Sequence, residues 1–256
     1  MGIMFYKDLE LPKSVLNRRI FNKKSYGKVT AGTLTAIENM GLIDSKEEAI
    51  DVGAAAGLMS TFFAKKFKHV HSYEPSHSYE QTIKLKEQFD NITVHNLAVS
   101  NFKGQETFYI DDKRLSQNGF LNPGWGKPIT VDVVQLDDQN HSNIGLIKID
   151  TEGTELDVLK GADNILKASW PTLMVEIWDQ NTKYPLKDIF QHLTDLGYQT
   201  YWFHCPNRKI MRCDSVEQAV KDTSIEGYPH DADFIFVHES RSTNDYTTRL
   251  IRPVSI

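Results

Sequence analysis

Short apolar, β-branched runs alternate with amphipathic helical patterns along most of this chain, and that order limits its fold more than any other feature. Parallel strands joined by crossover helices need such an alternation, and it predicts an α/β architecture. Runs at 49–52, 70–74, 93–97, 146–150 and 173–177 read as strands of a central sheet, with 107–110 and 129–133 as extra strands between the third and the fourth. Residues 198–204 and 234–238 alternate aromatic and polar side chains, as antiparallel strands do. Hydrophobic spacing predicts helices over 59–67, 79–89, 155–166 and 186–196, which supply the crossovers after the first, second, fourth and fifth strands. The expectation is a mostly parallel, seven-stranded sheet with helices on both faces. Residues 1–40 read as an N-terminal helical segment and 41–256 as one domain, in which the Gly/Pro/Asn-rich stretch 111–128 forms a long loop.

Composition narrows the function. With 40% hydrophobic and 25% charged residues, the 256-residue chain has the make-up of a soluble globular protein. A net charge of -5 gives the whole molecule no long-range attraction for nucleic acid or anionic membrane. One stretch departs from this: between Glu10 and Glu38 there is no acid, while Lys13, Arg18, Arg19, Lys23, Lys24 and Lys28 fall there. A solvated helical face, a contact between subunits of a homo-oligomer and a phosphate contact all fit that pattern. Cys205 and Cys213 are too few for a disulfide framework and read as reduced thiols, and His204 lacks a second ligand pair at metal-site spacing. His69, His71, His77 and His95 read as packed or solvent-facing residues scattered along strands rather than as metal ligands. The N-terminus has no signal-peptide core and no long apolar run occurs, so membrane insertion is not expected and the cytoplasm is the expected compartment.

The stretch AIDVGAAAGLMSTFFAKKF, residues 49–67, passes from strand to helix through small residues. In parallel α/β sheets such a turn after the first strand flanks the crevice where ligands bind. Gly53 and Gly57 permit backbone angles and close approaches denied to larger residues, and Ala54, Ala55 and Ala56 keep the surface low. The pattern D-x-G-x-x-x-G matches neither a dinucleotide fingerprint nor a phosphate loop. Asp51 at the strand end would repel a pyrophosphate and attract an ammonium group. The second strand ends in Glu74 and Pro75 (VHSYEP), where a carboxylate suits a ribose diol, and VHNLAVS offers Asn96, Leu97 and Ala98 to an adenine ring. Together these positions describe a nucleoside with a positively charged amino-acid tail.

At these residues the chain resembles class I S-adenosylmethionine-dependent methyltransferases. LIKIDTEGTELDVLKGADNIL followed by PTLMVEIW is similar to the signature of the FkbM family, written around I-D-x-E-G-x-E with a later P-x-L-x-x-E. The resemblance spans roughly residues 48–180 and implies the Rossmann-like class I methyltransferase fold. It implies S-adenosylmethionine as cofactor, with the glycine turn on the methionine part and Glu74 on the ribose. The family's turn often carries Asn where this chain has Ala55 or Ala56, which removes one side-chain contact to the cofactor. The resemblance also implies methyl transfer to oxygen, on a hydroxyl of a sugar, a glycan or a secondary metabolite. An N-methyltransferase, an RNA ribose 2′-O-methyltransferase and a non-catalytic S-adenosylmethionine-binding interaction protein are the alternatives.

Methyl transfer is an in-line displacement, so the site has to align a nucleophile and exclude water, and a hydroxyl nucleophile also needs a proton acceptor. Asp150 is the first candidate for base or orienting group, followed by Glu152 and by Glu176 at the end of the fifth strand. Each has a structural reading too: Glu152 can complement a helix dipole, and Asp150 can bond backbone amides. Three acids around one mouth would also accommodate Mg²⁺, although this is not the favoured reading. The 111–128 loop carries Asn118, Phe120, Asn122 and Trp125, side chains suited to covering a sugar face.

Overall fold

The computed structural model describes residues 37, 41–43, 47–111, 118–122, 124, 126–178, 182–204, 209–213, 215 and 231–241. The expected helical segment over 1–40 and the basic stretch within it lie, apart from Ile37, outside the described residues. Ile37 is buried in the core.

Eight strands form the main sheet: β1 (Glu48–Val52), β2 (His69–Tyr73), β3 (Ile92–His95), β7 (Ile144–Ile149), β8 (Thr172–Trp178), β9 (Tyr198–His204), β10 (Lys209–Cys213) and β11 (Asp231–His238). Their order is β10-β9-β11-β8-β7-β1-β2-β3. The five strands from β3 to β8 run parallel, and β11, β9 and β10 continue the sheet antiparallel. The α/β, Rossmann-like expectation therefore holds, with two refinements. The β10 hairpin raises the strand number from seven to eight. The runs near 107–110 and 129–133 do not enter the central sheet: β4 (Ala98–Val99), β5 (Gly104–Ile110) and β6 (Lys127–Val134) make a separate three-stranded sheet ordered β4-β6-β5.

Period-two alternation explains how each inner strand serves two faces. Ile50 and Val52 of β1 pack with Ile147, Ile149, Leu159 and Phe190, whereas Ala49 joins Val70, Leu146, Met59, Phe63 and Leu85 on the opposite face. Six consecutive buried residues make up β7, as a strand covered on both faces requires. One of them is Lys148.

The crossovers are shorter than hydrophobic spacing suggests. Helix α1 (Leu58–Ala64) follows the glycine turn. The predicted 79–89 helix is a single α-turn, α2 (Tyr79–Thr82), continued by a 3₁₀ segment, Ile83–Glu87. The predicted 155–166 helix breaks into α3 (Glu155–Lys160) and α4 (Asp163–Ser169) around Gly161. A Cβ at Gly161 would lie 2.1 Å from the Ser100 carbonyl oxygen, so the chain after β4 presses directly on the helix backbone. Helix α5 (Leu186–Asp195) matches its expected span. Since β1 pairs with β2 on one side and β7 on the other, the strand order reverses beside β1, and a crevice opens beyond its C-terminal end.

Gly161→Ala should therefore destabilise the fold by about 1–3 kcal/mol through overpacking against backbone that cannot yield. A lower urea midpoint with an unchanged slope is the expected reading, and an unchanged midpoint would refute the close approach.

Candidate functional site

The turn after β1 is built from backbone contacts. Gly53 (φ 74°), Ala55 (φ 46°) and Gly57 (φ 80°) all take left-handed conformations. The Gly53 and Ala54 N–H groups both donate to the Tyr73 carbonyl at 3.0 Å. The Ala55 N–H donates to the Glu74 carboxylate at 2.7 Å, and its carbonyl accepts from the Thr82 hydroxyl. Glycine at position 53 is required for a reason the sequence did not disclose: a Cβ there would sit 1.8 Å from the Asp150 carbonyl oxygen. Small size at this residue thus lets β1 and β7 meet backbone to backbone, and is not reserved for a ligand. Likewise a Cβ at Gly57 would strike the Leu85 side chain.

A cleft of about 600 Å³, open to solvent, lies at the C-terminal ends of the parallel strands. Its floor comes from Val52, Gly53 and Ala55 after β1 and from Tyr73, Glu74 and Pro75 after β2. Leu97, Ala98 and Val99 form one wall, and Asp150, Thr151 and Glu152 after β7 form the facing one. Phe108 of β5 and the loop residues Asn118 and Phe120 cover it, with the two phenyl rings edge to face at 5.3 Å. Asn122 is exposed, and Trp125 lies outside the described residues.

Five of the expected site residues stand elsewhere. Asp51 is fully buried behind the turn, where the Ser60 hydroxyl donates to it at 2.5 Å, so it does not present its charge to the cleft. Ala54 and Gly57 face the protein interior. Asn96 is exposed, and its amide nitrogen is placed to donate to the Glu74 and Pro75 carbonyls at 3.2 Å. Glu176 sits behind Asp150, which shares a hydrogen bond with it.

Sequence reasoning missed the residue that organises this acidic mouth. Lys148 is buried on β7, with its Nζ 3.1 Å from Asp150 Oδ2, 3.7 Å from Asp51 Oδ1 and 3.2 Å from the Gly53 carbonyl to which it donates. Burial works against its charge, yet the carboxylates of Asp150 and Asp51 outweigh that effect and hold its proton firmly. Burial pushes Asp51 up, with Lys148 and Ser60 opposing. Burial, and then the Asp150 charge, push Glu176 well above the usual carboxylate range, which favours its protonated form beside Asp150. The Lys148 ammonium stands among the acids that would otherwise have accommodated Mg²⁺. The only signal in the sequence was one lysine inside the apolar run GLIKI.

Glu155 is the second missed residue. It is buried and accepts from Gly153 N at 2.9 Å, from Thr151 N at 3.2 Å and from the Thr151 hydroxyl at 3.1 Å. The second acid of TEGTE thus shapes the turn that carries Glu152 (φ 57°) to the cleft. Glu74 plays the same part at the other turn: burial raises it, while hydrogen bonds from Ser76 N and Ala55 N oppose the shift. The histidines are not scattered either, since His69, His71 and His95 gather with His141 along one side of β2. Among the described residues no helix is long and apolar enough to cross a membrane.

Comparison with known proteins agrees with the residues that first suggested a family. The family model described as the methyltransferase FkbM domain matches residues 51–200. No curated protein matches. Among solved structures, methyltransferase FkbM from Methylobacillus flagellatus KT is 21% identical with a TM-score of 0.48, over 75% of this chain and 44% of that one. An rRNA methylase from Streptococcus thermophilus is 10% identical with a TM-score of 0.45, over 82% of this chain and 93% of that one. TrmK of M. capricolum, in complex with S-adenosyl-homocysteine, is 13% identical with a TM-score of 0.42, over 86% of this chain and 70% of that one. The chain spans less than half the length of the Methylobacillus protein.

Two predictions follow from the buried charges. Lys148→Met leaves Asp51 and Asp150 without their cation and should cost about 3–5 kcal/mol in chemical denaturation; a loss below about 1 kcal/mol would mean the pair is dispensable. Because the folded state raises Glu176, it binds more protons than the unfolded chain, so stability should fall as pH climbs above the ordinary value of 4.5 toward the raised one. Glu176→Gln removes the titrating group and should flatten that decline above pH ~5; an unchanged slope in urea titrations would contradict the assignment.

Proposed function

The chain belongs to the FkbM methyltransferase family, and from that premise we propose that it transfers a methyl group from S-adenosylmethionine to a hydroxyl of a sugar, a glycan or a secondary metabolite. The observation that carries this reading is Glu74, an acid at the end of β2 whose carboxylate is locked to Ala55 N at the glycine turn while it lines the cleft. Its two oxygens accept backbone hydrogen bonds from Ala55 and Ser76, with the Ser76 side chain as a further partner, and a carboxylate fixed in this way is an acceptor suited to a ribose diol. Leu97 and Ala98 supply an apolar wall for a base ring. Asn118 adds a donor: its Oδ1 accepts from Asp111 N, while its buried Nδ2 has no hydrogen-bond partner among the described residues. A buried unpaired donor on a cleft wall is costly unless a ligand meets it.

When bound, S-adenosylmethionine supplies an electrophilic methyl group on a sulfonium centre. Asp150 accepts a hydrogen bond from the acceptor hydroxyl and takes its proton as the oxygen–carbon bond forms. Lys148 holds that carboxylate in place from behind, and Glu176, whose protonated form is favoured by burial and by the Asp150 charge, shares a hydrogen bond with it. Glu152 adds negative charge to the wall where a cationic group is favoured. Phe108 and Phe120 keep water from the reacting atoms. Since Lys148 already provides the cation among these acids, Mg²⁺ has no part in the proposal.

Methyl-labelled cofactor incubated with the protein and fractionated cell extract should label carbohydrate or secondary-metabolite fractions; label confined to amines or RNA would overturn this acceptor class. Asp150→Asn should slow transfer by about 10²–10⁴-fold with near-normal cofactor affinity. Glu74→Gln keeps an acceptor for Ala55 N but loses the charge, and should weaken calorimetric binding of S-adenosyl-homocysteine by about 1–3 kcal/mol. Unchanged affinity would place the ribose elsewhere.

A further inference from the structure

On β2, His69, His71 and Tyr73 alternate onto one face, and the parallel register brings Glu48 of β1 and Thr93 and His95 of β3 beside them. The segment before β7 crosses over this row and adds His141, while Ser142 N lies 3.4 Å from Glu48 Oε2. The imidazoles of His71 and His141 meet at 4.3 Å between centroids, and the ring of Tyr73 stacks on His95 at 4.4 Å.

Three ligand atoms converge there. Glu48 Oε2 stands 3.6 Å from His71 Nε2 and 3.8 Å from His141 Nδ1, and all three lie within 4.8 Å of one another. Donors around a tetrahedral ion with bonds of ~2.0 Å stand roughly 3.3 Å apart, so the two measured separations need little closure. The opposite nitrogen of each imidazole is already engaged. His71 Nδ1 is bonded to His95 Nε2 at 3.2 Å, and His141 Nε2 to the Tyr73 hydroxyl at 2.8 Å. Metal-binding histidines are oriented in this way, by a partner on the ring nitrogen that faces away from the ion.

We propose that Glu48, His71 and His141 form a binding site for a divalent transition-metal ion, with Zn²⁺ as its occupant and His95 and Tyr73 as the groups that orient the two imidazoles. Two imidazole nitrogens and one carboxylate oxygen select such an ion over Mg²⁺ or Ca²⁺, which prefer all-oxygen shells. Three protein ligands leave a fourth position for water, and the partly exposed edges of Glu48 and His71 give the ion its way in. The ion would tie the start of β1, the middle of β2 and the segment entering β7 at one point. Tyr73 also lines the cleft, so occupancy would steady part of its floor. The site does not depend on the methyl-transfer reading, because none of its three ligands contributes to the cleft.

The full chain, tag-free and stripped with a chelator, is titrated with Zn²⁺ in a calorimeter. One equivalent should bind and raise the melting temperature, whereas Mg²⁺ should do neither. The double variant His71→Gln, His141→Gln should abolish stoichiometric binding, and His95→Gln should weaken it about 10–100-fold. Absence of stoichiometric Zn²⁺ binding, or binding that survives in the double variant, overturns the proposal. Should the double variant not fold, nitrogen-15 spectra of the wild-type histidine rings decide instead. Zn²⁺ must shift His71 Nε2 and His141 Nδ1, and shifts confined to other histidines overturn it.

Discussion

A buried ammonium at the point where the strand order reverses is the interaction on which the rest of this architecture turns. Taking a lysine out of water costs several kcal/mol, and the cost is offset only when carboxylates and acceptors surround it. Lys148 meets that condition with Asp51 behind, Asp150 beside it and the Gly53 carbonyl above. Because those partners belong to β1 and β7, the same ion pair joins the two strands, braces the glycine turn and aims Asp150 at the cleft. Glu176 extends the network, and its hydrogen bond with Asp150 together with its raised pKa eases the repulsion between two neighbouring acids.

Around that centre, acids serve the backbone as much as they serve chemistry. Glu74 holds the turn after β1 and Glu155 holds the turn after β7, each through backbone N–H groups, whereas the buried Asp157 gathers side chains, those of Asn101, Lys183 and Tyr184, at 3.2, 2.8 and 2.6 Å. A carboxylate can accept several N–H bonds that a tight turn would otherwise leave unpaired, and this satisfies the requirement that buried backbone groups find partners. An acid-rich mouth is therefore not evidence of several catalytic bases. Of the three candidate acids, Asp150 and Glu152 line the cleft and Glu176 does not.

The small sheet of β4, β5 and β6 shows how a nominal insertion completes a site. Its core of Ala98, Phe108, Val131 and Val133 packs against Phe120, and through that packing the covering loop is held over the crevice. The Gly119 backbone exchanges hydrogen bonds with Tyr109 at 2.8 and 3.1 Å, which fixes Asn118 and Phe120 on the cleft wall.

The parallel run of strands, the span of α5, and the placing of Glu74, Leu97, Ala98, Asp150 and Glu152 at or just beyond strand ends could all be read from the chain. They depend on local spacing and on residues adjacent in sequence, which periodicity reports directly. Contacts between distant segments could not be read that way. Gly53 is glycine because the Asp150 carbonyl lies against it, Gly161 because the Ser100 carbonyl does, and Asp51 is inside because Lys148 and Ser60 take up its charge. Lys148 looked like an interruption in an apolar strand, and His69, His71 and His95 looked scattered until the pairing of β2 and β3 aligned them beside His141. The sequence alone determined the α/β architecture and the strand ends that carry the cleft, since those follow from neighbours along the chain. Only the tertiary structure decided which acids are buried, which are paired and which imidazoles converge, because desolvation and pairing depend on neighbours in space.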